Sequence, residues 1–305
     1  MRLLRKTQPQ GVLMISIKLS RLEGIKAEKI KIDCGDHRIT LLVLSPEEKT
    51  EDVPGVLWIH GGGYVTGMKE MAYMSRAYDL VKRHKVIVVS PGYRLAPWHP
   101  YPAAIDDCYS ALLWMKDNVK RLQIRDDQLM VGGESAGGGL CAALCMMARD
   151  RRSVNIAYQM PLYPMLDCFD TESSKDNHGR FWNTRKNHLG WRCYLGKGYQ
   201  DVSPYASPSR QTDYVDLPPC YTFIGHGEPF YDETLKYVKD LREAGVEAYA
   251  DVYHTDIHSF DMLYPKMDIS VEAIGNFNEH FAYAVERYRA PPVMMKYNDI
   301  MWLEK

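Results

Sequence analysis

The chain has 305 residues, enough to bury a large single core. Its 38 Lys and Arg against 39 Asp and Glu leave a formal net charge of −1, which excludes wholesale electrostatic attraction to nucleic acid or an anionic membrane. Seven cysteines, an odd number without a CxxC pair, argue for reduced thiols and a cytoplasmic protein.

In chain order, residues 1–25 read as helical or irregular. They mix basic and apolar residues but lack the uninterrupted apolar core and cleavage site of a signal peptide. No apolar run is long enough to span a bilayer. Next, KAEKIKID and RITLLVLS alternate like two half-exposed strands. VLWIHGGG at 56–63 is a buried strand running into His60 and three glycines. Backbone N–H groups of such a loop can approach the oxygen that becomes negative in acyl transfer, so Gly62 and Gly63 are candidate oxyanion donors and Gly61 a weaker one. No Gly-Lys-Ser/Thr follows, which argues against a phosphate cradle. A helix is expected over 68–84, then a fully buried strand at VIVVS, 86–90.

The run QLMVGGESAGGG at 128–139 places Ser135 in Gly-x-Ser-x-Gly between an apolar strand and a helix. That is the sequence of a nucleophile elbow, which makes Ser135 the candidate nucleophile and the amide of Ala136 a third oxyanion donor. Cys141 and Cys145 lie one helical turn apart on that helix and read as small buried apolar residues.

Between Leu162 and Pro218 the alternation of strand and helix stops. The stretch at 163–217 is too long for a simple loop and reads as a helical cap, completed by residues 1–25. Trp182 and Trp191 within it, and Tyr64 beside the glycine loop, are candidate pocket residues; anchoring of cap to core is the competing reading.

Downstream, a strand at 220–224, an exit loop at 225–229 and a helix at 231–244 present Glu228 on the loop. In the order serine, acid, histidine, Glu228 is the candidate carboxylate. Asp232 is its rival, placed where a helix cap is wanted. A strand at 248–253 then leads to His258, the candidate general base. His254 and His258, four residues apart with Asp256 between them, would suggest a metal site on a helix, but the stretch reads as a strand end and loop without a clear third ligand, so no metal and no cofactor are expected. After Pro292 a short apolar-rich tail remains, a candidate for docking on the core or for homo-oligomer contact. The whole pattern predicts one domain, 1–305, with a mostly parallel α/β sheet, helices on both faces, and ligand-binding loops at the carboxyl ends of the strands.

Taken together, HGGG at 60–63, YRLAPWHPYP at 93–102 and GESAGG at 133–138 resemble the hormone-sensitive-lipase-like branch of the α/β-hydrolase fold, a bacterial esterase family, from about Val53 to Tyr288. Two departures stand out: Glu134 replaces the commoner aspartate before the nucleophile, and EPFYDE at 228–233 replaces DPLRDE. The resemblance implies a cofactor-free serine carboxylesterase acting on small, short-chain acyl esters, with Ser135, Glu228 and His258 as its triad. Two rival readings share the fold. One is an amidase or formamidase on the same triad. The other is a non-catalytic small-molecule receptor, as the gibberellin receptors of the family are, although those lose the histidine that this chain keeps at 258.

Overall fold

The computed structural model describes residues 24–48, 50–197, 199–290 and 293. The expectations for residues 1–23 and for the C-terminal tail fall outside them.

The described strands are β1 (Ile25–Asp33), β2 (Arg38–Pro46), β3 (Val53–Ile59), β4 (Ile87–Pro91), β5 (Ile124–Glu134), β6 (Tyr158–Leu162), β7 (Cys220–Gly225) and β8 (Ala248–Tyr253). They form one eight-stranded sheet in the order β1-β2-β4-β3-β5-β6-β7-β8. β2 is antiparallel to both of its neighbours, and every pairing from β4 through β8 is parallel. The sequence explains the difference. β4, IVVSP, is buried at every position, as a strand covered on both faces must be. β1 buries only Ile25 and Ile32 at the sheet edge, where its exposed lysines discourage further pairing.

The described helices are α1 (Arg76–His84), α2 (Ala103–Asp117), α3 (Val119–Leu122), α4 (Ala136–Arg151), α5 (Thr184–Leu195), α6 (Tyr231–Glu243), α7 (Phe260–Leu263) and α8 (Asp268–Arg287). The single helix expected over 68–84 is instead a 3-10 turn, Lys69–Tyr73, followed by α1. Ser75 makes the break: its hydroxyl accepts from Ala77 N at 3.1 Å and so starts a new helix. α4 is buried from Ala136 through Ala148, and Cys141 and Cys145 lie inside it as small core residues. Burial of its Leu140, Leu144, Met146 and Met147 contributes about 1.5–3 kcal/mol each. All seven cysteines are free thiols.

Among its described residues the insertion after β6 contains one twelve-residue helix, α5, and a three-residue 3-10 turn, Pro208–Arg210; the other described residues are turns and irregular chain. It is less helical than expected because its many polar side chains satisfy the backbone locally: Asn183 caps α5, and the Thr184 hydroxyl bonds Ser174 O and Asn177 O. The register Ile59↔Gly133, Glu134↔Leu162 and Gly225↔Tyr253 levels the carboxyl ends of β3, β5, β6, β7 and β8, so their exit loops emerge together.

Candidate active site

β5 ends at Glu134 and α4 begins at Ala136, leaving Ser135 as the whole turn. Its backbone has φ 56° and ψ −120°, a conformation costly for any residue with a Cβ. Three hydrogen bonds hold it there. Ser135 N donates to Leu162 O, and Ser135 O accepts from Gly139 N and Met165 N, all at 3.0 Å. Close approach explains the flanking glycines: a Cβ on Gly133 would fall 2.5 Å from Ile59 O, and one on Gly137 only 2.1 Å from the same atom.

Ser135 Oγ lies 2.9 Å from His258 Nε2, on the loop between β8 and α7. The opposite ring nitrogen, Nδ1, donates to Glu228 Oε2 at 2.5 Å, which leaves Nε2 to accept the serine proton. Glu228 is fully buried, and its other oxygen accepts from Gly225 N at 2.8 Å. Burial pushes its carboxyl pKa up, while the histidine and the Gly225 amide pull it back down. The extra methylene of glutamate is accommodated within a loop that doubles back on β7.

The other two acids of EPFYDE have separate tasks. Asp232 does not cap α6; its carboxylate accepts from Ser173 N at 2.7 Å, and its own amide donates to Ser173 Oγ at 3.1 Å. Glu233, buried, accepts from Leu166 N at 2.6 Å and Asp167 N at 3.2 Å. Both therefore fasten the insertion to the first turn of α6, directly after the loop that carries Glu228. Asn177 adds a bond to Gly227 O at 3.0 Å.

The glycine loop after β3 presses on the elbow: a Cβ on Gly61 would meet Glu134 O at 2.9 Å. Gly62 has φ 118°, and a Cβ there would fall 2.1 Å from Thr66 O. Among the described residues the amides of Gly62 and Gly63 have no acceptor, while Ala136 N lies at the open end of α4. His60 fixes the loop from behind. Its Nδ1 meets Gly61 O at 2.8 Å, its ring stacks on Tyr93 at 4.1 Å, and burial pushes its pKa down to about 4, so it is neutral. The YRLAP run serves the same loop: Tyr93 donates to His60 O at 2.9 Å, Ala96 N donates to Tyr64 O at 2.8 Å, and the Arg94 guanidinium grips Asp107.

Of the three candidate pocket residues, only Trp182 reaches the site. Its ring lies 6.2 Å from that of His258, and a Cβ on Gly63 would fall 2.2 Å from it. Tyr64 and Trp191 are both 1 % exposed. Tyr64 stacks on Tyr194 at 4.0 Å and donates to Met165 O at 3.3 Å, and Trp191 packs on it at 5.4 Å. They join α5 to the core and face no open wall, which corrects their reading as pocket residues. Two aromatics that the sequence reading missed stand edge-on to His258, Tyr163 and Phe230, each at 5.2 Å. Phe230 was within EPFYDE and Tyr163 directly after β6, positions at strand ends that could have drawn notice.

Among the described residues the one cluster with metal-ligand spacing is Cys34, His37 and Asp107, remote in sequence from the site loops, and Arg94 occupies both oxygens of Asp107. No described helix is long and apolar enough to cross a membrane.

A serine on a strained strand-to-helix turn, a histidine on a later loop and a glycine loop beside them agree with the family match over residues 56–262, described as alpha/beta hydrolase fold. The chain belongs to that family. It is 29% identical over 235 residues to an arylesterase of Saccharolobus solfataricus, covering 76% of each chain. It is also 29% identical over 245 residues to carboxylesterase NlhH of Mycobacterium tuberculosis, covering 78% of this chain and 76% of the relative. Among solved structures, a bacterial heroin esterase superposes with a TM-score of 0.82 at 31% identity, over 87% of this chain and 86% of the other.

Proposed function

We propose that the chain is a serine carboxylesterase that cleaves short-chain, acetyl-type esters through an acyl-enzyme on Ser135, working as one domain whose insertion at 163–217 caps the site. Hydrolysis of carboxylic esters in general is supported by membership in the alpha/beta hydrolase family and by relatives named as esterases at 29–31% identity. The observation that carries the finer reading is the continuous chain of hydrogen bonds from Ser135 Oγ through His258 to Glu228.

In this reading His258 Nε2 takes the Ser135 proton as Oγ attacks the ester carbonyl. Negative charge gathers on the former carbonyl oxygen and meets the amides of Gly62, Gly63 and Ala136. Glu228 keeps the proton on Nδ1 and stabilises the imidazolium, which then protonates the departing alcohol. Water, activated by the same histidine, releases the acid. Short acyl groups are favoured by Trp182, whose ring stands against Gly63 of the glycine loop and 6.2 Å from the ring of His258.

A panel of p-nitrophenyl esters of increasing chain length tests this. Rates should peak at acetyl to butyryl, because each methylene gains at most about 0.8 kcal/mol of burial until it meets that wall. A steady rise to long chains would refute the short-chain assignment, and faster turnover of aryl formamides than of any ester would move the activity to an amidase.

A further inference from the structure

The residue before Ser135 belongs to a second buried polar cluster, which the proposed mechanism does not use. Glu134 is 2 % exposed, and the indole Nε1 of Trp58, on β3, donates to its Oε1 at 2.7 Å. Facing it from the start of α1 are Ser75 and Arg76, and from α7 comes Asp261, three residues beyond His258. Arg76 is already engaged: its Nη1 meets Asp79 at 2.5 Å and its Nε meets Asp261 at 3.1 Å. The Tyr163 hydroxyl, after β6, faces Asp261 and Glu134 as well.

The charges do not balance if every acid is ionised. Three carboxyls, Glu134, Asp261 and Asp79, share the single guanidinium of Arg76, and Asp79 retains some contact with water. Glu134 is the member whose hydrogen bond comes from a neutral donor. A buried carboxylate without its own cation is costly, and the ordinary response is to keep the proton. Burial, reinforced by Asp261 and opposed by the Trp58 bond, pushes the Glu134 pKa up to about 8.

We propose that Glu134 is a positioning residue: its bond to Trp58 ties the end of β5 to β3, beside the Arg76–Asp261 pair that joins α1 to α7, and so holds Ser135 Oγ within reach of His258 Nε2. The inference rests on Ser135 and His258 as nucleophile and base. The geometry favours this role because Ser135 sits in a backbone conformation that must be imposed by its neighbours. Asp261 lies on the short helix that follows the His258 loop, so one cluster braces both partners of the 2.9 Å contact. Ionised, Glu134 would place a buried negative charge on the residue next to the nucleophile.

Glu134→Gln and Glu134→Ala separate this role from simple packing. Glutamine keeps an acceptor for Trp58 and can never ionise; alanine has neither property. We expect Glu134→Gln to lose no more than about five-fold in kcat and Glu134→Ala about fifty-fold or more, with KM changing less than about three-fold in both. Equal losses in the two variants would overturn the positioning role. Should the alanine variant not fold, Trp58→Phe, which removes the donor together with part of the ring, should lower kcat by about ten-fold, and an unchanged kcat would overturn the positioning role.

The second readout is independent of activity. A carboxyl raised from 4.5 to about 8 on folding makes the folded protein bind more protons than the unfolded chain between those values, so its contribution to stability falls as pH rises through that window and levels above it. The Tm of Glu134→Gln relative to the natural chain should therefore climb from about pH 5 to about pH 8 and then stay flat. A difference independent of pH would overturn the buried proton. Ser135→Ala serves as the control for the underlying reading: if that variant keeps esterase activity, it is the assignment of the nucleophile that fails.

Discussion

The two halves of the site are held by different physics. On the nucleophile side, Ser135 and the glycine loop are fixed by backbone against backbone: Gly61, Gly133 and Gly137 sit where a Cβ would strike a carbonyl oxygen at 2.9 Å or less. On the acid side, Glu228 and His258 are fixed by side chains, with Asp232, Glu233 and Asn177 tying the insertion to the loop that carries the acid. Steric contacts of the first kind tolerate almost no substitution. Hydrogen bonds of the second kind contribute about 0.5–1.5 kcal/mol each, rising to about 3 when charged, and can be traded among neighbours. The contrast teaches why a glutamate can stand at the head of EPFYDE, where the motif it resembles has aspartate, while the glycines stay where the turn needs them.

The sharpest break of that comparison is on the nucleophile side. Ser135→Ala and His258→Ala should each lose about 10⁴-fold or more in kcat, and the double variant hardly more, because the two act as one unit. Steady-state rates on p-nitrophenyl acetate check this, and multiplicative losses would separate the pair. On the acid side, Glu228→Gln should lower kcat by about 10³- to 10⁴-fold, since an amide neither stabilises the imidazolium nor enforces the tautomer. Glu228→Asp should recover part of that loss, as the loop is built around the longer side chain.

The same contrast decides what could be read in advance. Ser135, the glycine loop and the strand-to-helix order were legible because backbone constraints write themselves as glycine spacing and apolar runs. Glu228 and His258 were legible as loop residues following strands, in the required order. The side-chain-held parts were not. Nothing local shows that Asp232 would turn its carboxylate to Ser173, that Ser75 would split the helix expected at 68–84, or that Tyr64 would stack under α5. Each is decided by a partner distant in sequence, whose position only the fold supplies. Glu134 was visible as a departure from the motif, but its burial against Trp58 was not.

A smaller effect sharpens the picture of the glycine loop. His60 is buried and neutral, with its pKa lowered from 6.5 to about 4. The unfolded chain then binds more protons than the folded one between those values, so stability is lost as pH falls from about 6.5 toward 4, by roughly 3 kcal/mol in total. Denaturant midpoints at about pH 7 and pH 4.5 should show His60→Phe losing less on acidification than the natural chain. An identical loss in both would place the acid sensitivity elsewhere.

The smallest effect belongs to Asp232. Asp232→Asn keeps an acceptor for Ser173 N, so kcat should fall by no more than about three-fold and stability by under about 1 kcal/mol. If this variant were crippled while Glu228→Gln stayed active, the acid would have to be reassigned by one helical turn.

The most direct measurement is mapping of the covalent intermediate. Rapid quenching of the reaction with p-nitrophenyl acetate, or labelling with an organophosphate, followed by peptide mass analysis should place a single adduct on the peptide containing Ser135, with labelling slowed at least about 10³-fold in His258→Ala. An adduct on any other residue, or undiminished ester hydrolysis by Ser135→Ala, would contradict the account.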